Sequence, residues 1–478
     1  MKRTLLFAAT LGVLGAASAC SLVIGSLDEC KVDGDCAKKG PGLVCQDSLC
    51  VASSAPVDAG VDAGPAVARD PLCQDVYGST DGGNVLRLGA VVPKSTSTGA
   101  VDIRGVYRGD AIAMAVQELN RKSALPGTSV VIRVCDDTGD STKAATEAGE
   151  LLDEGAVALV TTGSSQTIAI ANAVVSRGAT LMSISATSTQ IQSAGVLPDG
   201  GAKRVWSTAT SDSSQAKVLA GMMEDAGYSR PACVHADDVA FNGLYASLTQ
   251  DLPAFADGGA NLPQFLYESG TSPTSAIQGA QQSSPDAVVL ISTVGDTAAL
   301  LGAWEGADPV WLFTDNARST SVYGFDGGLA RLAGSKGTGP STPSASNLEY
   351  SSFHALFVTD FPDAGDPATV SYVPNAYDAV LLLAAGSLWA QGHGTIDGAG
   401  VAQGLTQLSN TSVAATPLSA DQFTTLAASF SQGQQVNVKG ASGALDFDNA
   451  HGVAPGPIDI WVIAPDGGIV TVANVANP

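Results

Sequence analysis

The sequence predicts an α/β fold made of two units, each a parallel sheet flanked by helices. From Asn84 onward, apolar runs of strand length alternate with amphipathic stretches of helical length. The same alternation restarts after Val205–Thr208, which indicates a second unit. Strands separated by helices require crossover connections, and these produce parallel sheets that are covered on both faces.

The first unit begins with short strands that are rich in valine, isoleucine and leucine. These strands are predicted over Val85–Val92, Ser129–Val134, Ala156–Thr161, Thr180–Ile184 and Val205–Thr208. Helices are predicted between them over Gly105–Lys122, from near Ser141, and over Thr167–Ser176. Apolar residues recur along the first helix at the spacing of one helical face, at Ile112, Ala113, Val116 and Leu119.

The second unit repeats this alternation and then changes character. Its predicted strands are Ala232–His235, Ala287–Ser292 and Val310–Thr314, and its predicted helices are Gln215–Ala226, Gly243–Leu252 and Thr297–Trp304. After a stretch rich in Gly, Ser and Pro, two further helices are predicted over Leu348–Phe361 and Val373–Gln391, and a β-rich end over Ile458–Val472. Because helices return after the second unit, we expect the chain to cross between the units more than once.

Composition argues against a nucleic-acid-binding role. The chain of 478 residues has 46 acidic and 23 basic side chains, which give a formal net charge of −23. A phosphate polymer would therefore meet a repulsive surface. Hydrophobic residues make up 45% of the chain and charged residues 14%, whereas disordered chains are poor in the first and rich in the second. We expect a globular protein of two or three domains.

The N-terminus has the pattern of an export signal. Lys2 and Arg3 precede an apolar run and the small residues Ala17-Ser18-Ala19-Cys20. These four residues are similar to a bacterial lipobox, so residues 1–19 are predicted to be a lipoprotein signal peptide and Cys20 the lipidated N-terminus. Ordinary cleavage after Ala19 is the alternative. The expected product is exported and held on a membrane, facing the periplasm or the cell exterior.

Residues 20–51 are predicted to form a small disulfide-rich segment, since export favours disulfides. The candidate partners are Cys30, Cys36, Cys45 and Cys50. Their spacing lacks the C-x-x-C pairs of a structural zinc site, and their connectivity is open. The segment is interpreted as a stapled stalk or as a surface adhesion module. Residues 52–83, rich in Ala, Gly, Pro and Asp, are predicted to be a flexible linker.

Two further cysteines are predicted to pair with each other. Cys73 precedes the first strand of the main body, and Cys135 follows its neighbour. Cys233 remains, so an odd count leaves one thiol free or paired between molecules.

Three polar loops follow predicted strands, where ligands bind in open parallel sheets. The first two contain Ser164, Ser185 and Thr187, whose hydroxyls and neighbouring N–H groups suit a carboxylate. The third contains Asp315, whose carboxylate suits an ammonium. Together they predict a clamp for a zwitterion, although helix capping alone would explain any single loop.

Catalytic machinery is not evident from the sequence. The four histidines share no metal-ligand spacing, and neither a G-x-S-x-G elbow nor a P-loop occurs. His235 is the best catalytic candidate, and a structural histidine is the preferred interpretation. We therefore predict no enzyme, no catalytic residue, no metal and no cofactor.

Several segments of the main body resemble the type I periplasmic binding proteins, and among them the leucine/isoleucine/valine-binding family. These segments include LRLGAVVP, YRGDAIAMAVQELN, TTGSSQTIAIANAV, TLMSISATSTQI, VPNAYDAVLLLAAG and SGALDFDNAHG, in the expected order. The resemblance implies two lobes joined by three crossovers near Thr208, Gly334 and Ala441. It assigns residues 84–207 plus 335–440 to lobe I and residues 208–334 plus 441–478 to lobe II.

The resemblance also implies site residues. Ser164 stands where the family binds the ligand carboxylate, Ser185 and Thr187 where it contacts the ligand backbone, and Asp315 where an acid takes the ammonium. Phe241 replaces a tyrosine that commonly covers the ligand, and Thr293 stands where another aromatic residue is frequent. Asp102 lies near the cleft mouth and favours a more polar ligand, unless it is merely solvated.

The implied function is capture of a branched-chain amino acid or a related small zwitterion for an ABC permease, by a protein held on the membrane through its N-terminal lipid. The alternatives are a surface sensor or interaction lipoprotein of the same fold, and a protein that binds an amide or another small polar solute. The disulfide-rich segment and the long linker motivate the sensor alternative, because fold does not determine function.

Overall fold

The computed structural model describes residues 43–46, 49–52, 71–80, 83–194, 202–252, 262–268, 271–343 and 346–476. The chain divides into two compact units, Met1–Ala68 and Arg69–Pro478. In the first unit, strands β1 (Leu43–Gln46) and β2 (Leu49–Ala52) form an antiparallel hairpin in which Cys45 lies opposite Cys50. The predicted signal peptide, Cys20, Cys30 and Cys36 lie outside the described residues.

The second unit contains two large sheets, each the centre of one lobe. The first-lobe sheet has the order β3-β5-β4-β6-β7-β8. Its strands are β3 (Asp75–Gly78), β4 (Asn84–Val91), β5 (Thr128–Cys135), β6 (Ala158–Thr161), β7 (Thr180–Ser183) and β8 (Val205–Ser207). All neighbouring pairs are parallel except β3 with β5. The predicted strands of this lobe therefore form one sheet.

The second-lobe sheet contains strands from three stretches of the chain. Its strands are β9 (Pro231–Ala236), β10 (Gln264–Tyr267), β11 (Ala287–Ile291), β12 (Val310–Phe313), β13 (Lys336–Pro340), β17 (Ile458–Ile463) and β18 (Ile469–Val475). Their order is β10-β9-β11-β12-β13-β17-β18. Strands β17 and β18 form an antiparallel hairpin at one edge, so this sheet is mixed rather than wholly parallel. A small third sheet contains β14 (Ala415–Pro417), β15 (Asn437–Gly440) and β16 (Gly443–Ala444).

Helices lie between the strands as the alternating pattern predicts. The helices up to β13 are α1 (Ile103–Arg121), α2 (Ser141–Asp153), α3 (Ser164–Val174), α4 (Gln190–Ser193), α5 (Asp212–Ala226), α6 (Val239–Asp251), α7 (Thr274–Gln282), α8 (Val294–Gly302) and α9 (Gly328–Leu332). Those after it are α10 (Leu348–Asp360), α11 (Val373–His393), α12 (Gly398–Leu405) and α13 (Phe423–Ser431). Helix α11 is buried along most of its length and packs against α1 in the first-lobe core. Among the described residues, no helix is long and apolar enough to span a membrane.

Two of the predicted crossovers are misplaced. Residues Lys336–Pro340 were expected in lobe I, but they pair with β12 and β17 of the second-lobe sheet. Residues from Ala441 were expected in lobe II, but Ala441, Phe447 and Ala454 belong to the first-lobe core. Asp378 of α11 holds this segment by accepting hydrogen bonds from the N–H groups of Ala441 and Ser442 (3.0 and 2.7 Å). The chain therefore crosses between β8 and α5, between β13 and α10, and just before β17.

The linker predicted over residues 52–83 extends too far along the chain, because its last part contains a strand of the first-lobe sheet. Strand β3, within that range, pairs with β5 along four residues. The predicted Cys73–Cys135 disulfide is present and joins Cys73, just before β3, to Cys135, the last residue of β5. Because β3 is a short edge strand, this covalent bond strengthens its attachment to the sheet. Cys233 is free and buried in β9.

Candidate functional site

The two hydroxyl-bearing loops of the first lobe come together at the carboxyl ends of β6 and β7. The Ser164 hydroxyl, at the start of α3, accepts hydrogen bonds from the backbone N–H groups of Thr187 and Ser188 (3.3 and 3.2 Å). The Ser185 hydroxyl accepts one from the N–H of Gly163 (3.0 Å). Each hydroxyl keeps its own O–H for donation. The loops therefore present hydroxyl donors that suit a carboxylate.

Asp212 connects this cluster to the second lobe. The N–H of Asp212, the first residue of α5, donates to the carbonyl oxygen of Thr187 (2.7 Å). Asp212 is 3% exposed, and its carboxyl group forms a side-chain hydrogen bond with Thr187. Burial raises the pKa of this carboxyl to about 8, and the charge of Asp315 adds to the rise. The group is therefore largely protonated at neutral pH unless a positive charge binds beside it and lowers its pKa.

Asp315 lies at the end of β12 and faces the first lobe. Its carboxylate accepts a hydrogen bond from the Tyr372 hydroxyl (3.2 Å) and another from the side chain of Gln215. Burial raises its pKa, and the hydrogen bonds oppose that rise. Among the ion pairs of the described residues, which include Arg318–Asp459 and Arg104–Asp102, none involves Asp212 or Asp315. The two neighbouring acids thus lack a cationic partner.

The amide of Gln215 adds a third acceptor beside the two acids. Its nitrogen donates to the carbonyl oxygen of Thr338 (3.0 Å), whereas its oxygen Oε1 is buried without a partner among the described residues. A primary ammonium has three N–H donors. The carboxyl groups of Asp212 and Asp315 and the Oε1 atom of Gln215 are three acceptor groups, one for each N–H of an ammonium.

Tyr372 is held in an unusual conformation between the lobes. Its φ is +67°, in the left-handed region that non-glycine residues rarely adopt. Burial, together with the charge of Asp315, raises the pKa of its phenol well above the ordinary value, so the hydroxyl keeps the proton that it donates to Asp315. The guanidinium carbon of Arg108, from α1, lies 5.6 Å from the ring centre. Backbone strain of this kind persists where surrounding contacts over-determine it, frequently at functional sites.

The other predicted site residues have structural contacts of their own. Thr293 caps α8 by accepting from the N–H of Asp296 (3.1 Å), and Phe241 packs against the second-lobe core. Asp102 caps α1 and forms an ion pair with Arg104 (2.8 Å). No hydrogen bond described for these three residues joins them to the loops of Ser164 and Thr187 or to Asp315.

The lobes also contact each other directly. The Ser165 hydroxyl of the first lobe donates to the two carboxylate oxygens of Asp238 in the second lobe (2.9 and 3.0 Å), and the Asn375 amide holds the crossover after β8 by donating to the carbonyl oxygen of Thr208 (2.9 Å). A side chain on Gly243 would approach Ser188 Oγ to 2.7 Å, so only glycine fits there without rearrangement. These contacts bring the carboxyl edges of the two sheets together.

A cavity of about 820 Å³ lies along the crossovers. It is bounded by Thr208–Thr210, by the ends of β13 and the segment before β17, and by Asp315 and Tyr372 at one side. Its volume falls within the range of roughly 300–1,000 Å³ that is usual for small-molecule pockets. Asp315 lines this cavity, whereas Ser164, Ser185 and Thr187 do not.

His235 is a structural residue in this fold. It is fully buried in β9, its ring stacks on Tyr245, and its two ring nitrogens contact Ala236 O (3.0 Å) and Gln264 Oε1 (3.1 Å). Both nitrogens are therefore occupied by structural contacts. This geometry supports the structural interpretation of His235 that the sequence favoured.

Sequence reasoning missed Asp212, Gln215, Tyr372 and Arg108. Asp212 follows Ser211 in a typical helix start, so it looks like a capping-region acid. Asp212 and Gln215 are three residues apart, a spacing that places both on one face of a helix. The signal available in the sequence was this polar pair, Asp212 and Gln215, in the first turn of a helix that follows the predicted crossover near Thr208.

Comparison with known proteins identifies the family. The sequence profile of the periplasmic binding proteins matches residues 85–437. No curated protein matches the sequence.

Three similar solved structures illustrate the fold. A leucine-binding protein of Thermotoga maritima is 19% identical, covers 82% of this chain and 99% of its own, and has a TM-score of 0.62. A branched-chain amino acid transporter substrate-binding protein of Streptococcus pneumoniae, in complex with isoleucine, is 15% identical, covers 83% of this chain and 100% of its own, and has a TM-score of 0.60. A solute-binding protein of R. palustris, in complex with 4-hydroxybenzoate, is 13% identical, covers 83% of this chain and 98% of its own, and has a TM-score of 0.61. The chain therefore belongs to the periplasmic binding protein family and has the type I fold of the leucine/isoleucine/valine-binding proteins.

Proposed function

We propose that this protein is the solute-binding component of an ABC importer and that it captures an amino acid between its two lobes. The observation that carries the proposal is the pair of acids, Asp212 and Asp315, which lie at the junction of the lobes without a basic partner. Burial makes the charged form of each acid costly and so raises both pKa values, and a positive charge bound beside the acids offsets that cost. A ligand ammonium group supplies the missing partner, with Tyr372 and Gln215 holding Asp315 in place.

The hydroxyls of Ser164 and Ser185 are assigned to the ligand carboxylate, and Thr187 contributes to the site through the hydrogen bond that its hydroxyl donates to Asp212. The Ser164 and Ser185 oxygens already accept backbone N–H groups, so each hydroxyl keeps its own proton for donation. Phe241 is assigned a covering role, while Thr293 and Asp102 are assigned to the margin of the site. Because ligand binding requires contacts from both lobes, the ligand stabilises the closed arrangement through its higher affinity for it.

The relatives support a small-molecule ligand and leave its class open. Solved relatives bind isoleucine or leucine, and others bind benzoate or 4-hydroxybenzoate. An aromatic carboxylate has no cation to offer Asp212 and Asp315. The two unpaired acids therefore favour an amino-group-bearing ligand over an aromatic acid.

The N-terminal sequence supports an exported protein that is tethered through a lipid on Cys20. The tether places the binding unit near a membrane permease. The alternative function, a surface sensor of the same fold, has the cysteine-bearing hairpin Leu43–Ala52 in its favour, because delivery to a permease does not require it. Crosslinking in cells distinguishes a permease from a signalling partner.

A thermal-shift screen of the purified protein against amino acids, small amides and aromatic carboxylates tests the binding function. A ligand at about 100 times its Kd adds roughly 2.7 kcal/mol to the stability of the folded state. The proposal predicts a shift with at least one amino acid. A shift with aromatic acids alone would overturn the amino-group assignment, and no shift with any compound would favour the sensor alternative.

A further inference from the structure

Arg108 is a buried cation without an anionic partner. It lies on α1, is 9% exposed, and forms no ion pair with any carboxylate of the described residues. Its Nε and Nη2 groups donate to the carbonyl oxygen of Ser371 (3.3 and 3.1 Å), which leaves Nη1 with no described acceptor. A guanidinium has five N–H donors and matches a carboxylate in a two-point contact. A single backbone oxygen therefore uses only part of its donor capacity.

The position of Arg108 places it at the edge of the sheet that bears the candidate site. Helix α1 follows β4, and the loops of Ser164 and Ser185 follow β6 and β7, so all three lie at the carboxyl edge of one parallel sheet. The Arg108 guanidinium covers the ring of Tyr372, whose hydroxyl binds Asp315 of the other lobe. One tyrosine thus separates an unpaired cation from an unpaired acid.

The charged groups around Arg108 do not neutralise it. Burial lowers its pKa to about 10, and Arg104 contributes to the fall, so the side chain stays charged at neutral pH. Asp102 is the carboxylate whose charge acts on it, and that carboxylate is already bonded to Arg104. The group of Asp102, Arg104 and Arg108 therefore carries one uncompensated positive charge.

We propose that Arg108 binds an anionic group of the ligand that is separated by several bonds from the ammonium held at Asp212 and Asp315. This inference rests on the proposed function and specifies the ligand class. The Tyr372 ring lies between the two charges, with the guanidinium carbon 5.6 Å from the ring centre and the ring hydroxyl 3.2 Å from the Asp315 carboxylate, whereas a single carbon separates the charges of a simple α-amino acid. The geometry fits an acidic amino acid or an ω-amino acid better than leucine, isoleucine or valine.

Binding calorimetry with four probes tests the inference on the full-length purified protein. Glutamate and 5-aminovalerate carry the distant anion, leucine lacks it, and pentylamine keeps the ammonium alone. We expect glutamate or 5-aminovalerate to bind at least about 10-fold more tightly than leucine and pentylamine. In Arg108→Gln, that ligand should lose roughly 30-fold or more in affinity, as for loss of one partner of a buried charge pair, while leucine and pentylamine should change little.

The control is Arg104→Gln, one helical turn earlier on α1, which removes an exposed arginine already paired with Asp102. It should leave the order of the four affinities unchanged. Arg108→Lys keeps the charge but not the fork geometry, so it should show an intermediate loss of affinity. This variant replaces Arg108→Gln in the test if Arg108→Gln is poorly folded. Leucine binding more tightly than both distant-anion probes, with no effect of Arg108→Gln, would overturn the inference and leave the amino-acid function intact. Failure of all amino acids in the thermal-shift screen would instead overturn the proposed function.

Discussion

Replacing Asp212 by Asn should remove a pH-dependent cost to the stability of the folded chain. Burial between the lobes raises the pKa of the Asp212 carboxyl from 3.8 to about 8. The folded state therefore binds this proton more tightly than the unfolded state does. The resulting stabilisation is fully present below pH 4, is lost as the pH rises from 4 toward 8, and changes no further above pH 8.

The magnitude follows from one proton. Stability falls by about 1.4 kcal/mol per pH unit within this window, which amounts to about 4 kcal/mol between pH 5 and pH 8. The Asn side chain in Asp212→Asn does not titrate and keeps an oxygen that can accept from the Thr187 hydroxyl. The variant should therefore gain about 4 kcal/mol relative to the natural chain over the same interval.

Urea unfolding of ligand-free protein at pH 5, 6, 7 and 8, followed by tryptophan fluorescence, measures the difference. Asp326→Asn is the control, because Asp326 is exposed and lies in the loop before α9 of the second lobe. Its stability should follow that of the natural chain at every pH. A difference between Asp212→Asn and the natural chain that stays constant from pH 5 to pH 8 would refute the reasoning.

Three further predictions concern the fold and the junction of the lobes. Replacing both Cys73 and Cys135 by serine should lower the unfolding free energy by about 4 kcal/mol, since the bridge spans a sequence separation of 62; equal urea midpoints for the variant and the natural chain would contradict this. Cys233 should resist maleimide in native buffer and react in urea, because its thiol is fully buried and burial raises its pKa; native-state labelling detected by mass spectrometry would be inconsistent with that burial. Tyr372→Phe should cost roughly 1.5–3 kcal/mol of stability through the lost hydrogen bond to Asp315, and an unchanged unfolding free energy would show that this bond contributes nothing.

The alternation of apolar runs predicted the strands and helices that build both lobes. Val310–Thr314 was predicted to be a strand, and the structure has β12 over Val310–Phe313. The prediction was close because the apolar run of a strand and the polar residue that follows it are both local features of the sequence. The crossovers were harder to place. Lys336–Pro340 has the sequence KGTGP, which has no apolar run, and it is a strand because β12 and β17 supply partners on both sides. One of these partners, β17, lies more than a hundred positions further along the chain.

The candidate site shows the same division between local and distant information. Ser164, Ser185, Thr187 and Asp315 follow strands and were accessible to sequence reasoning. Asp212 was not, because an acid in the first helical turn is ordinary until another lobe buries it. Arg108 resembles any helix arginine, and its significance depends on the absence of a carboxylate around it in the described structure. Burial and missing partners are properties of the assembled fold.

The measurement that tests the central claim most directly is calorimetric binding of the best amino acid from the thermal-shift screen to the natural chain and to Asp315→Ala. Asp326→Ala serves as the control for a change in net charge. If the ligand ammonium is held at Asp315, the affinity should fall by roughly 30-fold or more in Asp315→Ala and remain unchanged in the control, because the variant loses one partner of a buried charge pair. Equal affinity for the natural chain and Asp315→Ala would contradict the assignment of the ammonium to this site.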